Sequence, residues 1–378
     1  MSKPKIVCVV GTRPDAIKTA PVVLELRRFA DRVDTLVVST GQHREMLQQV
    51  FECFGLAADH DLDIMQHGQT LAQVTCRALE GIDRILEELR PDFLIAQGDT
   101  TTTFVGALAA FYRKVPFGHV EAGLRTGRVD DPFPEEFNRR AASLVTVLHF
   151  PPTRWAADNL RSEGINEEAV LVTGNTCIDA VLQVAERHPQ DWLPEVEGRV
   201  ILLTTHRREN WGGPQRSIAT AALELLDRFP DTHLAVPMHK NPVVRETLTG
   251  ILGGHDRVTL MEPPAYPRFV KLMQRSHLIL TDSGGVQEEA PAFGIPVLVL
   301  RETTERPEGV TAGNARLIGA NRQAIVDAAT ELLTDEAAYA AMSTSRSPYG
   351  DGRAAARIRH AVLGHLGIES PAEEPWVE

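Results

Sequence analysis

Short apolar runs rich in Val, Ile and Leu alternate with longer stretches of helical periodicity along the whole chain. That alternation predicts a parallel sheet covered by helices. In the first half the predicted strands are Lys5–Val10, Thr35–Ser39, Asp92–Ala96, Val115–His119, Val145–Phe150 and Val170–Val172. In the second half they are Arg199–Thr204, His233–Val236, Val258–Met261, Leu278–Thr281, Pro296–Leu300 and Ala315–Ile318. Two such sets predict two Rossmann-like lobes, each doubly wound. The boundary is expected within Gly174–Gly198, where a predicted helix, Ile178–Glu186, precedes the polar segment HPQDWLPEVEG. The expected division is a first lobe over 1–174, rejoined by a C-terminal helix at 354–368, and a second lobe over 175–353. The acidic, Pro-containing tail ESPAEEPWVE, 369–378, is expected to fray.

A chain of 378 residues is too long for one core, in keeping with two lobes. The net charge of −12 argues against nucleic acid, which wants a basic surface. No apolar run approaches the roughly 20 residues that span a bilayer. The N-terminal apolar run reads as a first strand and not as a signal peptide, so a cytoplasmic location is expected. Cys8, Cys53, Cys76 and Cys177 lie far apart without metal-ligand spacing and read as reduced thiols.

The polar motifs fall directly after predicted strands, where open α/β sheets bind ligands. The first strand runs into Gly11-Thr12-Arg13-Pro14-Asp15-Ala16-Ile17-Lys18. Arg13 stands there at a helix start, and Lys18 lies about one turn further on. The loop is not GxGxxG, and no acidic residue ends the second strand, so a nicotinamide cofactor is not expected. The third strand ends in Gln97-Gly98-Asp99, followed by four threonines; Asp99 or a threonine serves equally well as a helix cap. The fourth ends in His119-Val120-Glu121, and Glu135-Glu136 open a further helix. Glu136 alone reads as a surface charge complementing the helix dipole. Three carboxylates at one mouth, Asp99, Glu121 and Glu135, instead supply an acid and a base.

In the second half, Thr205-His206-Arg207-Arg208 follows one strand and Met238-His239-Lys240 the next. A lone histidine is commonly structural, but these two share one sheet end. The strongest segment is Thr281-Asp282-Ser283-Gly284-Gly285-Val286-Gln287-Glu288-Glu289. Its glycines admit a phosphate to backbone N–H groups, and Glu289 is placed to accept from ribose hydroxyls. Arg301 and Arg306 follow the next strand as further cations at that mouth. Asp61-Leu62-Asp63 matches the short DxD pattern of metal-dependent sugar transferases but reads as solvated charge, so no metal is expected.

GTRPDAIKTAPV, QGDTTTTF, HVEAGLRTG, PFPEEFNRR, TTHRREN, DSGGVQEEAPAFGIPVLVLRETTERPEGV and SPYGDGRAA occur in that order. In this the chain resembles the non-hydrolysing UDP-N-acetylglucosamine 2-epimerases from about Ile6 to Ala356. The resemblance implies two lobes facing a central cleft (GT-B-like), a homodimer, no cofactor, and a UDP-sugar substrate whose nucleotide lies mostly on the second lobe. It places nucleotide contacts on Arg13, the Ser283-Gly284-Gly285 turn, Glu289 and Arg306. Sugar and catalytic roles fall on Lys18, Asp99, Glu121, Glu135 and His206. It also implies elimination of UDP to a 2-acetamidoglucal and re-addition. Pro264 departs from relatives that carry glutamine near the uracil. Of the residues that hold a second, activating UDP-sugar in some relatives, Gln42, Glu135, Arg207 and His239 match, whereas Gly68 and Glu45 do not. Activation is therefore expected to be weak or absent. The rival readings are a hydrolysing epimerase, an epimerase of another UDP-2-acetamido sugar, a GT-B glycosyltransferase and a silent sugar-nucleotide sensor.

Overall fold

The computed structural model describes residues 3–41, 44–66, 68–188, 193, 195–344 and 346–377. The chain divides into two compact units, Met1–Ala180 with Gly350–Glu378, and Val181–Tyr349. The first is built on β1 (Lys5–Val10), β2 (Asp34–Ser39), β3 (His60–Asp61), β4 (Phe93–Gln97), β5 (Phe117–Val120) and β6 (Leu148–Phe150). These form one sheet in the order β3-β2-β1-β4-β5-β6, and every pairing is parallel. The second carries β7 (Arg199–Thr204), β8 (Thr232–Pro237), β9 (Val258–Met261), β10 (Ser276–Thr281), β11 (Val297–Val299) and β12 (Ala315–Leu317). Their order is β12-β11-β10-β7-β8-β9, again parallel throughout. Counted from its own first strand, each unit has the same doubly wound order.

The central strands are buried nearly end to end, because helices cover both faces of a parallel sheet. Val7, Val9, Leu94, Ala96, Ile82 and Leu86 anchor the first core. Ile201, Leu203, Leu278, Leu280, Leu225 and Ile325 anchor the second. Among the described residues, no helix is long and apolar enough to cross a membrane.

Two expectations need correcting. Val170–Val172 is not a strand: Val170 makes one isolated bridge to His149, and the chain turns at Gly174 into the helix Thr176–Arg187. The sixth strand of the first sheet is His60–Asp61, which pairs with Val38 and Ser39 at the edge. It holds only a histidine and an aspartate, so no β-branched run announces it. The tail, expected to fray, instead packs along the helix Ala354–His365 as far as Trp376. Arg357 Nε donates to Glu374 O (2.7 Å), Arg32 Nη1 donates to Glu369 O (2.7 Å), and Trp376 is 4% exposed. Burying one tryptophan outweighs the polar composition around it.

Candidate active site

In the first unit the winding reverses between β1 and β4, and the candidate residues gather at the carboxyl ends of β1, β4 and β5. Gly11 passes so close to the helix Thr101–Arg113 that a Cβ there would fall 2.0 Å from Thr102 Oγ1. Thr12 caps the helix Arg13–Arg27, and Asp15 completes the capping box. The Asp15 carboxylate accepts from Thr12 Oγ1 (2.8 Å), Thr12 N (3.1 Å) and Gly11 N (3.3 Å). It also accepts from Thr100 Oγ1 beyond β4 (3.1 Å). Burial pushes this carboxyl up to about 6, against the hydrogen bonds from Thr12 and Thr100.

Glu121 follows β5 with φ 61°, a left-handed conformation that side chains avoid. Such strain persists only where the surroundings impose it, and its usual place is a functional site. Lys18 Nζ donates to its Oε1 at 2.6 Å, Gln97 Nε2 donates to its Oε2, and Asn175 Nδ2 lies 3.5 Å from Oε1. Only 9% of Glu121 is exposed. Asp99 pairs with Arg139 Nη2 at 2.7 Å, and Asn138 Nδ2 donates to the Asp99 carbonyl (2.9 Å). Both partners lie on the helix Glu135–Ser143, so its start is tied to the β4 loop. His119 is buried and donates from Nε2 to Gly98 O (2.7 Å), while burial holds its pKa down to about 4.

In the second unit the winding reverses between β7 and β10. Asp282, after β10, is fully buried. It accepts from Thr205 Oγ1 (2.9 Å), Arg207 N (3.0 Å), Asn210 Nδ2 (2.9 Å) and His206 N (3.0 Å). The imidazole Nδ1 of His206 lies 3.2 Å from the same carboxylate, and its ring stacks on His239 at 5.6 Å and 22°. Burial lowers the His206 pKa, opposed by Asp282 and reinforced by Arg207, His239 and Arg301.

Beside this cluster two guanidinium groups converge. A Cβ built on Gly284 would lie 3.9 Å from Nη2 of both Arg207 and Arg306. The buried Glu288 carboxylate holds Arg306 through Nε, and Thr304 Oγ1 accepts from the Arg306 backbone (3.1 Å). Among the described residues, Arg207 Nε is buried without a hydrogen-bond partner, as expected of a cation built to meet an anion. Tyr266 donates its hydroxyl to Glu289 Oε1 at 3.3 Å.

The sequence-expected residues thus divide between the units. Arg13, Lys18, Asp99, Glu121 and Glu135 lie on the first. His206, Arg207, His239, Ser283, Gly284, Gly285, Glu289 and Arg306 lie on the second. Arg13 is exposed and Glu135 half-buried; among the described residues neither side chain has a hydrogen bond or ion pair. Of the residues assigned in the sequence to an activator site beside the substrate, Arg207 comes with Arg306 to Gly284, and His239 stacks on His206. Gln42 and the side chain of Glu45 lie outside the described residues. Arg301 is not an open cation, because Glu209 (2.6 Å) and Glu305 (2.7 Å) occupy it. Glu136 is no surface charge: it is buried and accepts from Arg140 Nε (2.9 Å) and Thr126 N (3.2 Å). Sequence reasoning missed the organising roles of Asp15, Asp282 and Glu288. The capping-box spacing signalled the first; nothing local signalled the others.

The family model described as UDP-N-acetylglucosamine 2-epimerase matches residues 25–363. A UDP-N-acetylglucosamine 2-epimerase of Bacillus subtilis is 48% identical over 99% of this chain and 98% of its own length. A crystal structure of a UDP-N-acetylglucosamine 2-epimerase superposes with a TM-score of 0.93 at 45% identity, over all of both chains. The Neisseria meningitidis UDP-GlcNAc 2-epimerase, solved bound to UDP-GlcNAc, gives 0.87 at 44% identity, over 95% of this chain and 100% of its own. With matches spanning nearly the full length at such identity, this chain belongs to the UDP-N-acetylglucosamine 2-epimerase family.

Proposed function

We propose that this protein interconverts UDP-N-acetylglucosamine and UDP-N-acetylmannosamine by eliminating and re-adding UDP, keeping the intermediate bound. Family membership supports the substrate, and the relative from N. meningitidis holds UDP-GlcNAc. The observation that carries the chemistry is Glu121, a buried carboxylate in strained backbone with Lys18 and Gln97 already bonded to it.

The C2 proton of a sugar nucleotide has no carbonyl beside it, so direct deprotonation is unattractive. Elimination avoids this. The C1–O bond breaks with its electron pair passing to the diphosphate, C2 loses its proton to a carboxylate, and a C1=C2 double bond forms. Re-addition of UDP with protonation on the other face of C2 gives the epimer, and all atoms return. Arg207 and Arg306, near Gly284, are assigned to the departing diphosphate, with Arg13 as a further cation. Glu121 is assigned to proton exchange at one face of C2, and Asp99 or Glu135 to the other. Glu289, bonded to Tyr266, is assigned to the ribose.

Proton and phosphorus NMR of UDP-GlcNAc with enzyme in deuterated water tests this reading. Deuterium is expected at C2 of both epimers, with free UDP never exceeding the enzyme concentration. Steady accumulation of UDP and free N-acetylmannosamine would place the chain in the hydrolysing branch. Epimerisation with protium retained at C2 would overturn the mechanism. A homodimer belongs to the same proposal: Phe111, Tyr112, Phe137 and Leu144 are exposed on the first unit, apolar area of the kind a second copy covers. Light scattering reads that directly.

A further inference from the structure

Asp282 is connected more densely than a loop aspartate needs for folding alone. Its buried carboxylate receives Thr205 Oγ1, His206 N, Arg207 N and Asn210 Nδ2, and faces His206 Nδ1 at 3.2 Å. The four donors converge on Oδ2, while Oδ1 takes His206 N (3.1 Å) and faces the ring, and a carboxylate oxygen can only accept there. The ring nitrogen facing such an acceptor must be the one that carries hydrogen. The remainder of His206 is fixed as well. Its carbonyl accepts from Trp211 Nε1 (3.2 Å), and its ring lies against His239. Nε2 is the one polar atom of the residue without a partner among the described residues, and the side chain keeps 38% of its surface open. The neighbouring cations, Arg207 and Arg306, mark this end of the sheet for an anion.

We propose that Asp282 is a positioning residue that pins His206 as its Nδ1–H tautomer, so that Nε2 faces outward and gains a proton when an anionic diphosphate arrives. The proton comes from solvent and forms the Nε2–H bond. The imidazolium charge is then shared between Asp282 on one side and the diphosphate on the other. Other groups facing the ring oppose this: burial, Arg207, His239 and Arg301 all favour the neutral form. Asp282 offsets them, and the diphosphate tips the balance. The inference rests on the reading of this site as one that takes a UDP-sugar, but it concerns binding and not turnover.

The first test uses the full-length protein labelled with ring-15N histidine, the His206 signals being assigned by difference with His206→Gln. At pH 7.5 without ligand, Nδ1 is expected protonated and Nε2 bare; with saturating UDP both are expected protonated. An Nε2–H tautomer, or no change on adding UDP, would overturn the proposal. The second test counts protons by calorimetry of UDP binding in two buffers of different ionisation enthalpy. Uptake approaching one proton per UDP is expected for the unsubstituted protein, and a clear reduction in Asp282→Asn. The same variant should bind UDP about tenfold more weakly, somewhat less than the loss of one whole charge-assisted hydrogen bond because His206 can still reach the diphosphate. A folded Asp282→Asn protein with undiminished proton uptake would show that the carboxylate is only structural. Should that variant fail to fold, the NMR of the unsubstituted protein decides alone. Correct tautomer and uptake without conversion of UDP-GlcNAc would leave this inference standing and remove the epimerase reading; full conversion with the wrong tautomer would do the reverse.

Discussion

Both units have a buried aspartate at the point where their winding reverses, but it comes from opposite sides and serves different ends. In the first unit Asp15 follows the unit's first strand and spends three of its four bonds on its own loop, with Thr100 as the single reach across. In the second unit Asp282 follows the unit's fourth strand, and every side-chain bond it makes among the described residues goes to the segment after the first. Asp15 is a helix cap that also crosses over. Asp282 stitches two loops together and would hold nothing without the second. Around Asp15 the candidate chemistry is a buried carboxylate with its lysine, Glu121 and Lys18, together with the exposed Arg13; around Asp282 it is guanidinium and imidazole without a candidate carboxylate base. One strand order thus carries two different surfaces, as expected when function sits in the loops and not in the sheet.

If the first surface does chemistry and the second grips the nucleotide, substitutions should separate the two. The largest expected effect is that of Glu121→Gln. Losing a proton-transfer group costs roughly 10²–10⁴-fold in rate, so kcat should fall by that much and deuterium incorporation at C2 with it. UDP affinity, measured by calorimetry, should hold within about threefold. A matching collapse in UDP binding would erase the distinction between the units.

The next effect concerns stability, and its sign follows from the direction of the shift. An aspartate exposed in the unfolded chain titrates near 3.8, whereas burial raises Asp15 to about 6. Between those values the folded protein keeps a proton that the unfolded chain has lost. The Asp15 contribution therefore falls as pH rises from about 4 to about 6 and is flat above, by a total of about 3 kcal/mol. His119, lowered to about 4 by burial, works the other way and adds stability as pH rises toward its unfolded value. The raw curve mixes these with Asp179 and His149, which burial also shifts, so the measurement is a difference. The difference in urea midpoint between Asp15→Asn and the unsubstituted protein should shift in the variant's favour between pH 4.5 and pH 7. A constant gap would mean that Asp15 does not titrate as its burial requires.

Arg306→Ala comes third. Losing one charge-assisted contact to a phosphate costs about 2 kcal/mol, or roughly thirtyfold in UDP affinity. The loss should be smaller at high salt, where an exposed anion is already screened. If Arg306→Ala leaves UDP binding unchanged while Lys18→Ala destroys it, the assignment of the two surfaces is reversed.

What the sequence made legible follows the same division between local and distant causes. The central strands and the loops after them announce themselves because burial on both faces demands unbroken apolar runs and the polar motifs follow at once. The Asp15 box was written in the spacing of Thr12 and Asp15, three residues apart. His60–Asp61 was invisible because a two-residue edge strand owes its pairing to its neighbour and not to its own residues. The tail misled for a different reason: its composition says solvent, and only the arginines of the helix just before it and the burial of Trp376 say otherwise. Asp282 stood inside the strongest motif yet gave no sign of its role, since every partner lies more than seventy residues earlier in the chain. Arg301 looked like a free cation only in part for that reason: Glu209 is 92 residues away, but Glu305 is four residues along and its pairing was open to a local reading.

The smallest expected effect is the most direct comparison of the two aspartates. Each accepts one threonine hydroxyl from across the winding reversal: Thr100 on Asp15 at 3.1 Å and Thr205 on Asp282 at 2.9 Å. Valine at either position keeps the shape and removes the donor. Hydrogen bonds to charged groups contribute about 1.5–3 kcal/mol when nothing replaces them, but each carboxylate here keeps its other donors, so about 1 kcal/mol is the expected scale. Thr205 is buried while Thr100 is half-exposed, so water can replace the hydroxyl beside Asp15 and not beside Asp282. Thr205→Val should therefore destabilise more than Thr100→Val in urea unfolding. It should also loosen the His206–Arg207 loop, weakening UDP binding by a few fold, whereas Thr100→Val should leave UDP binding alone. Equal losses from both substitutions would mean that the two aspartates are the same structural device after all, and that the difference in their wiring has no bearing on the nucleotide.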